Sequence, residues 1–252
     1  MSVLSLVLLG CTHLPPRAAL EPDAEASGRA LVEACVETHG GLEAFRALGD
    51  VSMRVEDRWQ RLFGISIALE QPGDPLVVYN VALQKGAAGF AEVDERWGHD
   101  SVQAWVSRGG VAVPPERPAF FPSYGYFFSL PFKFLDPGVR YQALGRRSVD
   151  GVAVDEVLVG FEEEPGRALD VYVLRIDAET HELRSMLFTF RDMGRLPELE
   201  AVFHWQELGG ARVPERLDIT LVHPLRKPMH QLTFADPVIL DGFDRGAYEK
   251  PR

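Results

Sequence analysis

The hydrophobic pattern of the chain begins with two helices and then takes the period of a strand. Apolar residues at positions 31, 32, 35 and 36 share one face of a segment bounded by Pro22 and by Gly40-Gly41, which predicts a helix over 23–39. A second apolar face predicts a short helix over 41–48. From residue 51 the chain reads V-x-M-x-V-x-D-x-W, the alternation that places side chains on opposite faces of a strand.

The middle of the chain contains an aromatic segment, residues 119–138, which holds eight of the 25 aromatic residues. Tyr124, Phe127, Phe128 and Pro131 follow the i, i+3, i+4, i+7 spacing of a helix with one apolar face. Prolines mark the two ends of this helix, because proline lacks the backbone N–H that a helix interior needs. An Asp-Pro-Gly turn follows. So much aromatic surface on a short helix either fills an ordinary core or covers a wide apolar cavity.

Short alternating segments between turn residues fill the remaining length and are typical of an antiparallel meander. The predicted strands are 51–59, 62–69, 76–83, 90–97, 102–106, 111–113, 139–144, 152–161, 169–176, 183–191, 199–206, 212–222 and 229–240, with 85–89 as a connection. A sheet of this length must curl, split or close to protect its edges. We therefore predict an α+β fold, a strongly curved antiparallel sheet whose concave face is covered by the N-terminal helices and the aromatic helix.

The N-terminus resembles a bacterial lipoprotein signal. An uncharged apolar run ends in Leu8-Leu9-Gly10-Cys11, in which Cys11 occupies the lipid-attachment position of a lipobox. We predict a signal segment over 1–11, a proline-containing tether over 12–22 and a single domain over 23–252. The alternative is a short buried strand at the N-terminus. The lipobox predicts a bacterial cell-envelope protein that is anchored by lipid, on the periplasmic face of the outer membrane.

The charge of the chain argues against a nucleic-acid partner. The formal net charge is −11 and the pI is about 5.1, whereas phosphate binding needs clustered Lys and Arg. No segment reaches the roughly 18 consecutive apolar residues that a membrane-spanning helix needs.

The titratable residues indicate no catalytic, metal or cofactor site. The seven histidines include no pair at the i, i+4 spacing of a helical metal site, and HExxH, GxSxG, P-loop and GxGxxG motifs are not found. We expect His39 to bond the last carbonyls of the first helix, and Cys35 to be a buried free thiol on its apolar face. The chain is therefore predicted not to be an enzyme.

Three stretches carry a resemblance to a known family: HGGLEAFRALGDVSMRVEDRW, YFFSLPFKFLDPGVRYQALGRRSVDGVAVDEVLVGF and RIDAETHELRSMLFTF. They resemble a group of bacterial lipoproteins of unknown function that is similar to the outer-membrane lipoprotein-sorting proteins, the LolA/LolB-like superfamily. The resemblance implies an unclosed β-barrel, or half-barrel, with a helical lid over a hydrophobic cavity that holds acyl chains.

Three functional hypotheses follow. In the first, the protein binds or transfers an acyl-bearing lipid in a cavity beneath the aromatic helix, and a lipoprotein or another envelope protein is a possible partner. The predicted cavity residues are Phe120, Phe121, Tyr124, Phe127, Phe128, Phe132, Trp59, Phe63 and Trp105. In the second, the same aromatic residues fill a closed core and the protein is a structural or interaction lipoprotein. In the third, it is a hydrolase, which requires a buried polar cluster.

Overall fold

The computed structural model describes residues 22–62, 65–66, 73–100, 103–113, 121–161, 170–189, 198–222 and 226–251. The helices are α1 (Pro22–Thr38), α2 (Gly41–Ala47) and α3 (Phe121–Phe128), with short 3-10 helices at Phe132–Leu135 and Arg245–Tyr248. The strands are β1 (Asp50–Trp59), β2 (Arg61–Leu62), β3 (Ile65–Ser66), β4 (Leu76–Asn80), β5 (Lys85–Gly89), β6 (Glu95–His99), β7 (Ala104–Arg108), β8 (Val111–Val113), β9 (Val139–Val149), β10 (Val152–Phe161), β11 (Val171–Asp177), β12 (Leu183–Phe188), β13 (Leu199–Leu208), β14 (Ala211–Leu221) and β15 (Lys227–Leu240).

Thirteen of the described strands form one antiparallel sheet in the order β8-β7-β6-β5-β4-β1-β15-β14-β13-β12-β11-β10-β9. Neighbours in this order are consecutive in sequence, except at the centre, where β1 pairs with both β4 and β15. The two edge strands, β8 and β9, do not pair with each other, so the sheet curls without closing. The predicted α+β class and the curved, unclosed sheet are confirmed.

The main core lies between the concave face of the sheet and the helices. Helical side chains such as Val32, Phe45 and Phe128 belong to one buried cluster with Val55 of β1 and Phe234 of β15. The N-terminal half of α1 lies close to β9, because a Cβ at Gly28 would meet the backbone of that strand. The helices therefore cover the concave face, as the sequence predicts.

Ion pairs link neighbouring strands on part of the convex face. Glu156 is almost fully buried and binds Arg147 at 2.9 Å and Arg175 at 3.2 Å. Arg175 also bonds Glu200 of β13 at 2.6 Å, so paired charges run across β9, β10, β11 and β13. Buried carboxylates are tolerated here because each has a hydrogen-bonded cation.

Three predicted strand assignments were wrong. Residues 85–89 form strand β5 and not a connection, and the predicted strand 90–97 is a turn followed by β6. Gly and Ala are uncommon in strands. Small side chains fit in β5 because both of its faces are covered: Ala88 lies in the core beneath α3, and the C-terminal 3-10 helix contacts the strand. Arg61–Leu62 and Ile65–Ser66 pair with each other as a small hairpin, not as parts of one strand over 62–69.

Candidate functional site

The aromatic segment connects the two edges of the sheet, because it follows β8 and precedes β9. Helix α3 lies within it and contacts β5, β6 and β14 on the concave face. The helix ends at Phe128, and the Ser129 hydroxyl then donates to the Gly125 carbonyl at 2.7 Å. The predicted aromatic helix is confirmed, and its position between the edges places it over the centre of the curved sheet.

Four of the predicted cavity residues are brought together on this segment. Tyr124, Phe127, Phe128 and Phe132 are all buried in the main core. The ring partners of the three phenylalanines come from α2, β12 and β15. The centroid distances are 5.4 Å for Phe128–Phe234, 5.8 Å for Phe127–Phe188 and 4.1 Å for the stacked pair Phe132–Phe45.

Helix α3 packs closely on the sheet at Gly125. A Cβ at this position would overlap the ring of Tyr79, a buried residue of β4. Burial raises the pKa of the Tyr79 phenol to about 12, so it stays protonated. The hydroxyl of Ser129 bonds the Tyr79 hydroxyl at 3.4 Å, a long hydrogen bond. Shape therefore contributes more than polar bonding to the docking of α3 at this point.

A buried polar cluster lies on the same concave face, and we call Asp57, Trp59, Tyr124 and His230 the Asp57–His230 cluster. The His230 Nδ1 lies 2.7 Å from one Asp57 oxygen, and the Tyr124 hydroxyl donates to the other at 3.4 Å. The rings of Trp59 and His230 stack with centroids 4.0 Å apart. Only 3% of the Asp57 side chain and 8% of the His230 side chain are exposed.

Sequence reasoning missed this cluster, although one signal was present. Asp57 lies on the core-facing side of β1, the side that also carries Val51, Met53 and Val55, all of which are buried. A carboxylate at a core position needs a partner, because burial of an unpaired charge is costly. The partner, His230, lies 173 residues away on β15.

The other predicted cavity residues have different positions. Trp59 lies on the concave face, whereas Trp105 does not join the aromatic core. The Trp105 indole covers Gly98 on the convex face and donates to the Tyr248 carbonyl at 3.1 Å. Phe63 and Phe120 lie outside the described residues, as does the side chain of Phe121. The part these residues take in ligand binding stays a prediction.

A second aromatic group extends from α3 towards β10 and β11. Tyr126 lies 6.0 Å from the ring of Tyr172 and under the ammonium group of Lys133, at 5.9 Å from the ring centroid. Burial raises the pKa values of both tyrosines, so both hydroxyls are neutral. The Lys133 Nζ also binds Asp136 at 2.8 Å and Gln84 at 2.7 Å, which fixes the turn after the aromatic segment.

A small cavity lies between α2 and the 3-10 helix at Phe132–Leu135. Its volume is about 30 Å³, which is the size of a water molecule, and its wall includes Phe45, Arg46, Ser129 and Lys133. Pockets that hold drug-sized ligands are about tenfold larger. This cavity is therefore too small for an acyl chain.

The end of α1 holds the buried pair Cys35 and His39. The His39 Nδ1 donates to the Cys35 carbonyl at 2.8 Å, as predicted for a residue at a helix end, and the Cys35 thiol is free and buried. Burial lowers the pKa of His39 and raises that of the Cys35 thiol. Sequence reasoning overlooked their i, i+4 spacing, which leaves Sγ 3.9 Å from Nδ1.

The described part of the chain shows neither a metal-binding group nor a membrane-spanning helix. No group of three or more His, Cys, Asp or Glu side chains there is arranged to hold a metal ion. None of the described helices has the length and apolar character needed to cross a membrane.

Comparison with solved structures identifies the fold. A LolA superfamily protein from Nitrosomonas europaea matches with a TM-score of 0.58 at 12% identity, over 88% of this chain and 97% of that chain. A structure from Vibrio parahaemolyticus, described as an outer membrane lipoprotein-sorting protein domain, matches with a TM-score of 0.50 at 12% identity, over 89% and 97% of the two chains. No protein-family model and no curated protein sequence matches the chain. The chain has the LolA-like fold.

Proposed function

We propose that this chain, which has the LolA-like fold, is a lipid-anchored protein of the bacterial cell envelope that binds or transfers a hydrophobic, acyl-bearing ligand. The proposed site is the concave face beneath α3, with Tyr124, Phe127, Phe128 and Phe132 as its described aromatic residues. The proposed anchor is Cys11, which would hold the protein on the periplasmic face of the outer membrane.

The observation that carries the proposal is the position of α3. The chain between the two unpaired edge strands carries this aromatic helix onto the concave face of an unclosed sheet. An open sheet does not need its edges to separate when a helix on its concave face moves. Displacement of α3 would therefore expose a continuous apolar surface without unfolding the sheet.

The cavity beside α2 is too small for an acyl chain, so the proposed ligand takes the place of aromatic side chains beneath α3. Phe127 and Phe128 fill the space between α3, β12 and β15. Two polar contacts of the aromatic segment with the sheet, Tyr124–Asp57 and Ser129–Tyr79, are both 3.4 Å long. Such contacts are weak, so an apolar ligand that restores the lost burial can compete with the helix.

Two further points support a binding role in the cell envelope. The structure from Vibrio parahaemolyticus is described as a lipoprotein-sorting domain, and this chain has the same fold. The aromatic side chains of Tyr124, Phe127 and Phe128 belong to the main core on the concave face, which gives an acyl chain an apolar surface to bind.

A second candidate is the structural or interaction lipoprotein with a closed core. It is favoured by the complete burial of Phe128, Leu130 and Phe134, which is expected of permanent core residues. The two candidates differ in whether α3 leaves the sheet when an acyl chain is offered.

Titration of the purified protein with a fluorescent acyl probe separates the candidates. A ligand-binding concave face predicts saturable binding, with a blue shift as the probe leaves water, and competition by an unlabelled lipid. Emission that rises only in proportion to probe concentration, without competition, would favour the closed core and refute the proposed function.

A further inference from the structure

The Asp57–His230 cluster interrupts two rows of apolar side chains, one on β1 and one on β15. Val51, Met53 and Val55 precede Asp57 on the same face of β1, and Leu232 and Phe234 follow His230 on the same face of β15. A polar pair at such a place stabilises a fold less than apolar side chains of the same size would. Its chemistry therefore points to a ligand.

The hydrogen bonds of the cluster fix which group it can receive. Both Asp57 oxygens accept hydrogen bonds, one from the His230 Nδ1 and one from the Tyr124 hydroxyl. When the imidazole is neutral, the proton donated by Nδ1 leaves Nε2 as an acceptor. No described residue hydrogen-bonds Nε2, although 92% of the side chain is buried, which follows from its 8% exposure.

Among the described residues, no Lys or Arg forms an ion pair with Asp57. Arg58 is the next residue on β1 and therefore points to the opposite face, where it forms two 2.7 Å hydrogen bonds to Asp74. The cluster thus offers a carboxylate and an imidazole acceptor. Such a site attracts a hydroxyl donor and repels a carboxylate or a phosphate.

Tyr124 already places a hydroxyl donor at this site. Its ring lies in the apolar core and its hydroxyl reaches Asp57, which is the arrangement of a lipid with an apolar body and a neutral polar end. The 3.4 Å length of this hydrogen bond makes it weak. A ligand hydroxyl that enters as α3 leaves can therefore replace that of Tyr124 with a shorter bond.

We propose that the Asp57–His230 cluster binds the polar end of the ligand and selects neutral, hydroxyl-bearing acyl lipids of the monoacylglycerol type over fatty-acid anions. This inference rests on the proposed function, since it needs an acyl chain on the concave face. It assigns Asp57 and His230 as specificity-determining residues and Trp59 as the ring that holds the imidazole in place.

The test compares three probes of one chain length: 1-monooleoylglycerol, methyl oleate and oleate at pH 8. Each is measured as a competitor of the fluorescent acyl probe, for wild type and variants. His230→Phe keeps a ring that can stack on Trp59 but removes both nitrogens. We expect it to weaken the binding of 1-monooleoylglycerol about tenfold, which is the effect of one lost hydrogen bond. The affinity for methyl oleate should stay within about twofold of the wild-type value.

Asp57→Asn keeps the shape of the side chain and removes its charge. We expect it to bind oleate more tightly than wild type does, because the repulsion between two carboxylates is lost. His230→Phe alone leaves the Asp57 carboxylate without its histidine partner, whereas the double variant Asp57→Asn/His230→Phe contains no such carboxylate. The double variant therefore tests the same selectivity if His230→Phe does not fold. His204→Phe is the matched control, since His204 lies 2.8 Å from Asp218 on the convex face.

The outcomes separate this inference from the function on which it rests. If no acyl probe binds wild type, the proposed function fails and the selectivity fails with it. If the probes bind wild type but His230→Phe and the double variant change all three affinities equally, the proposed function stands and the headgroup site is refuted. The site would also be refuted if His204→Phe weakened the binding of 1-monooleoylglycerol as much as His230→Phe does.

Discussion

Phe128 shows most directly whether a side chain of the aromatic segment belongs to the core or to a lid. It is fully buried and meets Phe234 at 5.4 Å, so Phe128→Ala should lower the free energy of unfolding by about 3–5 kcal/mol. Urea denaturation measures this change. Val238→Ala removes an apolar side chain that is 55% exposed and should change stability little. A loss below about 1 kcal/mol for Phe128→Ala would mean that the ring already faces empty space.

His39 predicts a loss of stability on mild acidification. Burial lowers its pKa below the ordinary 6.5, so the unfolded chain binds the proton more readily than the folded one. Its contribution to stability is therefore fully present above pH 6.5 and is lost as the pH falls below that value. His99, whose pKa is also lowered by burial, acts in the same direction.

Thermal unfolding between pH 7.5 and pH 5.5 tests this prediction. The melting temperature of wild type should fall with pH, and that of His39→Gln should fall less over the same range, whatever its absolute value. Equal slopes for the two proteins would show that His39 does not contribute to the pH dependence.

Single residues also show where sequence reasoning reaches its limit. The spacing of Tyr124, Phe127 and Phe128 was sufficient to predict their common face, because helical geometry is local. The pairing of Asp57 with His230 depends on the β1–β15 register, which no local pattern contains. Trp105, a predicted cavity residue, lies outside the main core. Alternation in a strand separates two faces but does not say which one is concave.

At the scale of elements, Gly125 controls how closely α3 docks on the sheet. In an isolated helix, Gly→Ala would be stabilising by about 1 kcal/mol. Here the added Cβ would overlap the ring of Tyr79, so Gly125→Ala should destabilise the protein and weaken the docking of α3. If a ligand binds by displacing α3, the same variant should bind the fluorescent acyl probe more tightly than wild type.

Gly160→Ala is the control for this variant, because a Cβ at Gly160 of β10 would meet nothing within 4 Å. Melting temperature and probe affinity are measured for both variants. If Gly125→Ala loses stability and also binds the probe more weakly, α3 forms part of the ligand's wall and does not compete with the ligand.

The elements were predictable where hydrophobic periodicity decides the structure. The long strands of the second half, such as β10 and β14, alternate clearly and were assigned almost to the residue. β5 was missed because KGAAG lacks the β-branched and aromatic residues that mark a strand. Its small side chains are required by elements on both faces, α3 and the C-terminal 3-10 helix, and this is tertiary information.

For the whole molecule, the anchor prediction is independent of the fold. Cys11→Ser should abolish the acyl mass on the mature N-terminus and release the protein from the membrane fraction. Cys35→Ser is the control, since Cys35 is a buried thiol of α1 and should not affect membrane association. Mass spectrometry of the N-terminal peptide reads the result. An unmodified Cys11 in mature, membrane-associated protein would contradict the prediction.

The sequence predicts more of the overall architecture than of the candidate site. The alternating segments follow one another with no long charged or apolar segment between them, and this predicts one large antiparallel sheet. A sheet of thirteen strands must curl. The sequence cannot show that the aromatic segment joins the two edge strands, because the strand order depends on β1 pairing with β15. That order is what places α3 across the concave face.

The central claim is that the concave face beneath α3 holds a hydrophobic ligand, and native mass spectrometry of protein purified from membranes tests it most directly. Ligand binding on this face predicts a species heavier than the mature, anchored chain, with an adduct that organic extraction removes and identifies as an acyl-bearing lipid. The adduct should be reduced in Asp57→Asn/His230→Phe if its polar end lies on the Asp57–His230 cluster. A single species at the mass of the anchored chain, from protein that also fails to bind added acyl probe, would contradict the account.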